Sequence, residues 1–158
     1  MDIHILAASM LPKFIPRRQT IIMRIFDSEL VIKNPAKFPL RHPKFVGHFE
    51  YRFDDLEVIG GSEDDEEDMA YLNDFVLFDR NLALRVIHDF QLVYRPTLKQ
   101  DLLVHCYRGL SRSPAIAFGL NDLFKLGRDT IPFEYPQYNK LVYREMIKAG
   151  REFGLISV

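Results

Sequence analysis

One stretch of this chain sets reactive residue types at a spacing that chemistry can use: Leu102-Leu103-Val104-His105-Cys106-Tyr107-Arg108-Gly109-Leu110-Ser111-Arg112-Ser113-Pro114. An apolar run ends in the only cysteine, five residues separate Cys106 from Arg112, and Ser113 opens a segment with helical periodicity. A loop of that length can turn successive backbone N–H groups toward one point, making a nest for an anion. The following helix adds free N–H groups and the positive end of its dipole. Gly109 permits a turn that a side chain opposes. Arg112 supplies a planar fork for two oxygens of a tetrahedral oxyanion. A cysteine at the base of this nest sits in positive potential and is expected as a thiolate at neutral pH. Held against a bound phosphate, that thiolate is a nucleophile for in-line attack. The spacing predicts hydrolysis of phosphate monoesters through a cysteinyl-phosphate. Tyr107, Arg108, Gly109, Leu110, Ser111 and Arg112 form the expected phosphate-binding loop.

The segment His105 to Ser113 resembles the HCxxGxxRS signature of the cysteine-dependent protein tyrosine and dual-specificity phosphatases, and all five fixed positions match. From ordinary residue frequencies, a chance match somewhere in the chain is on the order of one in 10⁵. The chain looks most like the small single-domain members of bacteria and viruses, firmly over residues 79–126 and loosely elsewhere. The resemblance implies that Cys106 is the nucleophile and that Arg112 binds phosphate and stabilises the transition state. It implies that Ser113 donates to the thiolate when sulfur leaves, and that His105 braces the loop and helps keep the thiol ionised. The implied substrate is a phosphorylated protein or peptide, with phosphotyrosine preferred and phosphoserine and phosphothreonine tolerated. Arg108 stands where relatives often carry a small residue. It is either a surface charge or a contact to a larger anionic substrate. Two alternatives stay open: the same chemistry on an RNA 5′-triphosphate end or a phosphoinositide, and a catalytically silent fold that captures phosphorylated partners.

A leaving alkoxide or phenoxide needs a proton, and the family takes it from an Asp on a loop upstream. Arg52-Phe53-Asp54-Asp55-Leu56 resembles that loop, and Asp55 is the favoured acid. Asp54 is the second choice. Asp79 is a competitor whose position also suits a helix N-cap. Like charges nearby raise a carboxyl pKa and would keep such an acid protonated. Gln137 and Asn139 read as a loop and helix start, with a supporting role beside the phosphate loop implied by the resemblance.

Strands and helices must alternate to place this segment. Residues 3–7, 20–26 and 44–51 read as strands, and Leu102-Leu103-Val104 as a short central buried one. Residues 11–16 are a helical turn or loop punctuated by proline. Leu82, Val86, Ile87, Phe90 and Val93 share one face of a helix over 79–95, capped by Asp79, stopped by Pro96 and possible from Met69 onward. A second helix runs from about Ser113 to Leu126, with Ile116, Leu120, Leu123 and Phe124 buried and Gly127 as its cap. A third, about 137–150, buries Leu141, Val142, Ile147 and Ala149 and ends at Gly150. The expected fold is α/β: one protein-tyrosine-phosphatase-like domain spanning 1–158, with a small, mainly parallel sheet and helices on both sides.

Composition bounds the rest. With 158 residues, 47% hydrophobic and 27% charged, the chain suits one globular domain. A single cysteine excludes an internal disulfide or a multi-cysteine zinc site. His4, His42, His48 and His88 lack ligand spacing, so no metal and no cofactor are expected. Residues 54–68 hold nine acidic residues and no basic one. The other 143 residues carry 21 basic against 13 acidic, a net of +8. An acidic loop insertion at about 57–70 is expected, either solvated, docking a basic partner or repelling acidic substrates. The basic excess is too diffuse for general nucleic-acid binding. No run of 18 apolar residues predicts a membrane span, and the N-terminal residues do not read as a secretory signal, so a cytoplasmic location is expected.

Overall fold

The computed structural model describes residues 1–28, 42–56 and 75–156. The acidic insertion at 57–70, the helix start near Met69 and most of the proline-rich stretch 31–43 lie outside the described residues. Strands β1 (Asp2–Ala7), β2 (Gln19–Phe26), β3 (Phe45–Arg52) and β4 (Gln100–Cys106) form one sheet in the order β1-β4-β2-β3. Every pairing in it is parallel, so "mainly parallel" becomes wholly parallel. β4 lies between β1 and β2, and all seven of its residues are buried.

β4 is longer than its apolar triplet because polar residues extend it at both ends. Asp101 accepts from Arg18 at 3.3 Å. The Gln100 carboxamide accepts from Arg95 N at 2.7 Å and donates to Val93 O at 3.1 Å. Those two bonds close the end of helix α1 (Arg80–Val93) and satisfy a buried amide. Fully burying Leu102, Leu103 and Val104 contributes about 1.5–3 kcal/mol each.

Helices α1, α2 (Arg112–Phe124) and α4 (Lys140–Glu152) share one core with a single face of the sheet, through Ile3, Ile21, Met23, Leu102 and Val104. On the opposite face Ile22 and Leu103 meet Leu11 and Phe14 of the 3₁₀ turn Ala8–Lys13 and its exit. Among the described residues, then, the long helices occupy one side, not both. The second face tolerates this because strand alternation gives it Arg24, His48 and Glu50, which need no apolar cover.

The helix limits differ from expectation for local reasons. Asp79 does cap α1, accepting from Leu82 N at 2.9 Å. α2 is capped by Lys125, left-handed at φ 54°, and not by Gly127, which follows with φ 88°. A one-turn helix α3 (Ile131–Glu134), hidden in the sequence by Pro132, buries Ile131. α4 starts at Lys140 because Asn139 caps it, and it buries Met146, which the expected stripe missed, while Leu141 and Ile147 are only partly covered. It also runs past Gly150. That glycine lies inside the helix, where a Cβ would come within 2.1 Å of Leu123, so its lack of a side chain lets α4 approach α2. Among the described residues no helix is long and apolar enough to cross a membrane.

Candidate active site

Parallel strands end on one edge of their sheet, and that edge gathers the chemistry. β4 delivers Cys106, β2 is followed by Asp27, and β3 by Phe53 to Leu56. Residues 107–111 then turn into α2. The turn is anchored to the neighbouring strand end by Ala8 N donating to Tyr107 O at 3.1 Å. Gly109 has φ +73°, and a Cβ there would lie 2.6 Å from Ala7 N. Only glycine meets both the left-handed backbone and the contact with β1.

Cys106 is 2% exposed, and two polar groups reach its sulfur. Gly109 N donates to Sγ at 3.2 Å, and Ser113 Oγ lies 3.1 Å away. Ser113 is in the first turn of α2, where unsatisfied N–H groups and the helix dipole favour negative charge. The local geometry suits a sulfur anion.

Arg112 is buried at the same helix start. Its Nη1 donates to Phe53 O at 2.7 Å and its Nη2 pairs with Asp27 Oδ1 at 2.7 Å. Its Nε is buried with no hydrogen-bond partner among the described residues, Asp55 Oδ2 standing 3.9 Å away. A buried guanidinium N–H without an acceptor is costly, and an oxyanion bound beside it would satisfy it.

The three candidate acids separate cleanly. Asp55 lines the cavity that contains Cys106 and Arg112. Its Oδ1 accepts from Ser111 Oγ at 2.6 Å and from Asn139 Nδ2 at 3.0 Å. Asp54 turns away and accepts from Ser28 N at 3.0 Å, Ser28 Oγ at 2.5 Å and Val76 N at 2.8 Å. Although partial burial works against ionisation, those three bonds and Arg112 hold the Asp54 carboxyl below its ordinary range. Asp79 is the α1 cap. Asn139 is fully buried and acts beside the loop: its backbone N donates to Ser111 O at 3.1 Å. Gln137 lines the cavity.

His105 faces away from Cys106, on the other side of β4. It is buried, and its Nε2 accepts from Arg24 Nε at 3.2 Å. Its Nδ1 lies by the Cys106 backbone without closing a hydrogen bond. Burial first, and the Arg24 charge second, push its pKa down to about 3. The ring is therefore neutral, and it braces the strand end without supplying a positive charge to the thiol.

The cavity, about 670 Å³, opens at this edge. Tyr107, 72% exposed, together with Leu110 and Tyr138, gives it an apolar and aromatic rim; Arg108 and Lys140 add positive charge. Arg108 is exposed and lines the cavity. Comparison of the chain with known protein families, with curated proteins and with solved structures found no match. Among the described residues, no group of three or more His, Cys, Asp or Glu is placed to hold a metal ion. Sequence reading missed Asp27 altogether. Its Phe-Asp-Ser setting reads as an ordinary strand exit, and only the strand order brings it to Arg112.

Proposed function

We propose that this protein is a cysteine-dependent phosphatase with a protein-tyrosine-phosphatase-like fold, acting on phosphorylated protein or peptide. The observation that carries this reading is the setting of Cys106: a buried sulfur 3.2 Å from Gly109 N and 3.1 Å from Ser113 Oγ at a helix N-terminus, with the Arg112 guanidinium beside the same cavity.

The reaction runs in two displacements. The Cys106 thiolate attacks phosphorus, the ester P–O bond breaks, and Asp55 passes a proton to the leaving oxygen. The amides of the loop and the Arg112 fork take up charge on the equatorial oxygens. Water then attacks phosphorus, giving a proton to the Asp55 carboxylate. The P–S bond breaks, and Ser113 Oγ donates to the departing thiolate. A phosphorylated aromatic side chain suits the Tyr107 and Tyr138 rim. Arg108 and Lys140 at the cavity favour, as a second reading, a substrate with more than one phosphate, such as an RNA 5′ end or a phosphoinositide.

The test is hydrolysis of a chromogenic aryl phosphate. Activity is expected to survive a chelator and to vanish in Cys106→Ser, because the nucleophile is sulfur. Chelator-sensitive activity, or turnover that persists in Cys106→Ser, would refute the scheme. Parallel assays with phosphotyrosine peptide, RNA 5′-triphosphate and inositol phosphates rank the substrate classes.

A further inference from the structure

We propose that Asp27 is a resident competitor for the phosphate subsite: its carboxylate occupies the arm of Arg112 that an incoming phosphoryl group must take. This inference rests on the phosphatase reading above and deepens it.

Three observations carry it. The first is which donors of Arg112 are in use. A guanidinium grips an oxyanion side-on through Nε and Nη2, which lie on the same edge. Nη1 is committed to the Phe53 carbonyl at 2.7 Å, and Nε has no hydrogen-bond partner among the described residues. Nη2, the other half of the side-on edge, is held by Asp27 Oδ1 at 2.7 Å.

The second is that Asp27 is fixed in place by its flanks. Phe26 O accepts from Phe53 N at 3.1 Å on one side, and Ser28 on the other donates twice to Asp54. The segment that clamps Asp27 is thus the one whose Phe53 carbonyl holds Arg112 and whose Asp55 lines the cavity. Asp54, turned away from the cavity, holds Ser28, the residue that follows Asp27.

The third is charge and access. The Asp27 side chain is 49% exposed and lines the cavity, whereas that of Arg112 is 5% exposed. A phosphate dianion in the cradle would face two carboxylates, Asp27 and Asp55, beside the buried Arg112 guanidinium, with Arg108 and Lys140 also lining the cavity. Asp55 belongs with the leaving oxygen and sits 3.9 Å from Nε; Asp27 makes the direct contact. Binding therefore exchanges carboxylate for phosphate on Nη2, and product release reverses the exchange. Asp27 keeps Arg112 oriented and neutralised in the free protein and weakens the hold on bare phosphate.

The experiment measures inorganic phosphate and orthovanadate as competitive inhibitors of aryl phosphate hydrolysis by wild type, Asp27→Asn and Asp27→Ala, with phosphate binding followed directly by calorimetry. Both variants are expected to bind phosphate about two- to fivefold more tightly, the range set by losing a partly exposed charge pair. Phosphate bound equally or more weakly by both variants, alongside wild-type turnover, overturns the exchange alone and leaves Asp27 as a support for Arg112. Wild-type protein that neither hydrolyses the aryl phosphate nor binds phosphate brings down the phosphatase reading, and the exchange falls with it.

Discussion

The carboxamide of Asn139 donates to Asp55 Oδ1 at 3.0 Å and to Leu56 O at 3.2 Å, joining the start of α4 to the loop after β3. The same residue accepts from Val142 N at 3.1 Å as the cap of α4, and its backbone N–H bonds Ser111 O. One buried side chain thus ties the proposed acid, the loop around Cys106 and a helix of the core.

Cap and grip can be separated. Serine replaces asparagine as a helix cap at little cost, but its hydroxyl is too short to reach Asp55. Asn139→Ser should therefore keep most of the thermal stability and lower kcat by about tenfold or more through misplaced Asp55. Asn139→Ala should lose the cap as well, at about 1 kcal/mol or more. Denaturant melts read the first difference and steady-state kinetics the second. Equal kcat in wild type and Asn139→Ser would leave Asn139 a structural residue only.

The proposed role of Asp55 is to protonate the leaving oxygen, and the need for that proton depends on the leaving group. An activated phenolate leaves without help; an alkoxide does not. Asp55→Asn should slow an alkyl phosphate by roughly 10²–10⁴-fold and a nitrophenyl phosphate by much less. Asp54→Asn should instead lower stability, since it weakens the three bonds to Ser28 and Val76. An equal loss on both substrates in Asp55→Asn would move the acid to another carboxyl, with Asp27 the next to test.

Much of this site is legible in the sequence because it is covalently contiguous. Cys106, Gly109, Arg112 and Ser113 lie within one strand–turn–helix unit, so their spacing alone fixes their approach. The sheet edge is not contiguous. Asp27 meets Arg112 only because β2 lies beside β4 and both run the same way. Asp54 and Asp55 are neighbours in an extended stretch, where alternate side chains point to opposite sides; nothing local says which one faces the sulfur. Met146 and α3 were lost for different reasons. Pro132 hid α3, and the burial of Met146 depends on how closely α4 approaches α2 at Gly119, where a Cβ would lie 2.8 Å from it, a tertiary fact that periodicity does not carry.

Gly109 is the strictest steric requirement in the loop. Gly109→Ala must adopt φ near +73° and push a Cβ against Ala7 N at 2.6 Å, a backbone atom that cannot swing away. The combined strain is expected to cost about 2–4 kcal/mol, which lowers Tm by roughly 4–16 °C in a chain of this size. Activity should fall further than stability, because Gly109 N also donates to the sulfur. Scanning calorimetry with an activity assay on the folded fraction checks both parts.

The neutral state of His105 makes stability depend on pH in a defined window. Its folded pKa is about 3 against an ordinary value of 6.5. Between these values the unfolded chain binds a proton there that the native protein does not. Stability is therefore fully present above about pH 6.5 and falls on acidification, with a limiting slope of about 1.4 kcal/mol per pH unit. His48, lowered by burial and by the Arg24 charge, adds a contribution of the same sign. Urea melts between pH 6.5 and 5, above the range where most carboxylates titrate, should show this decline in wild type and a flatter profile in His105→Asn. The slope is the readout, since the variant's absolute stability also changes when its contact with Arg24 is altered. An unchanged slope would mean that the imidazole takes up its proton in the native protein as readily as in the unfolded chain, and the bond from Arg24 Nε to its Nε2 could not survive that protonation.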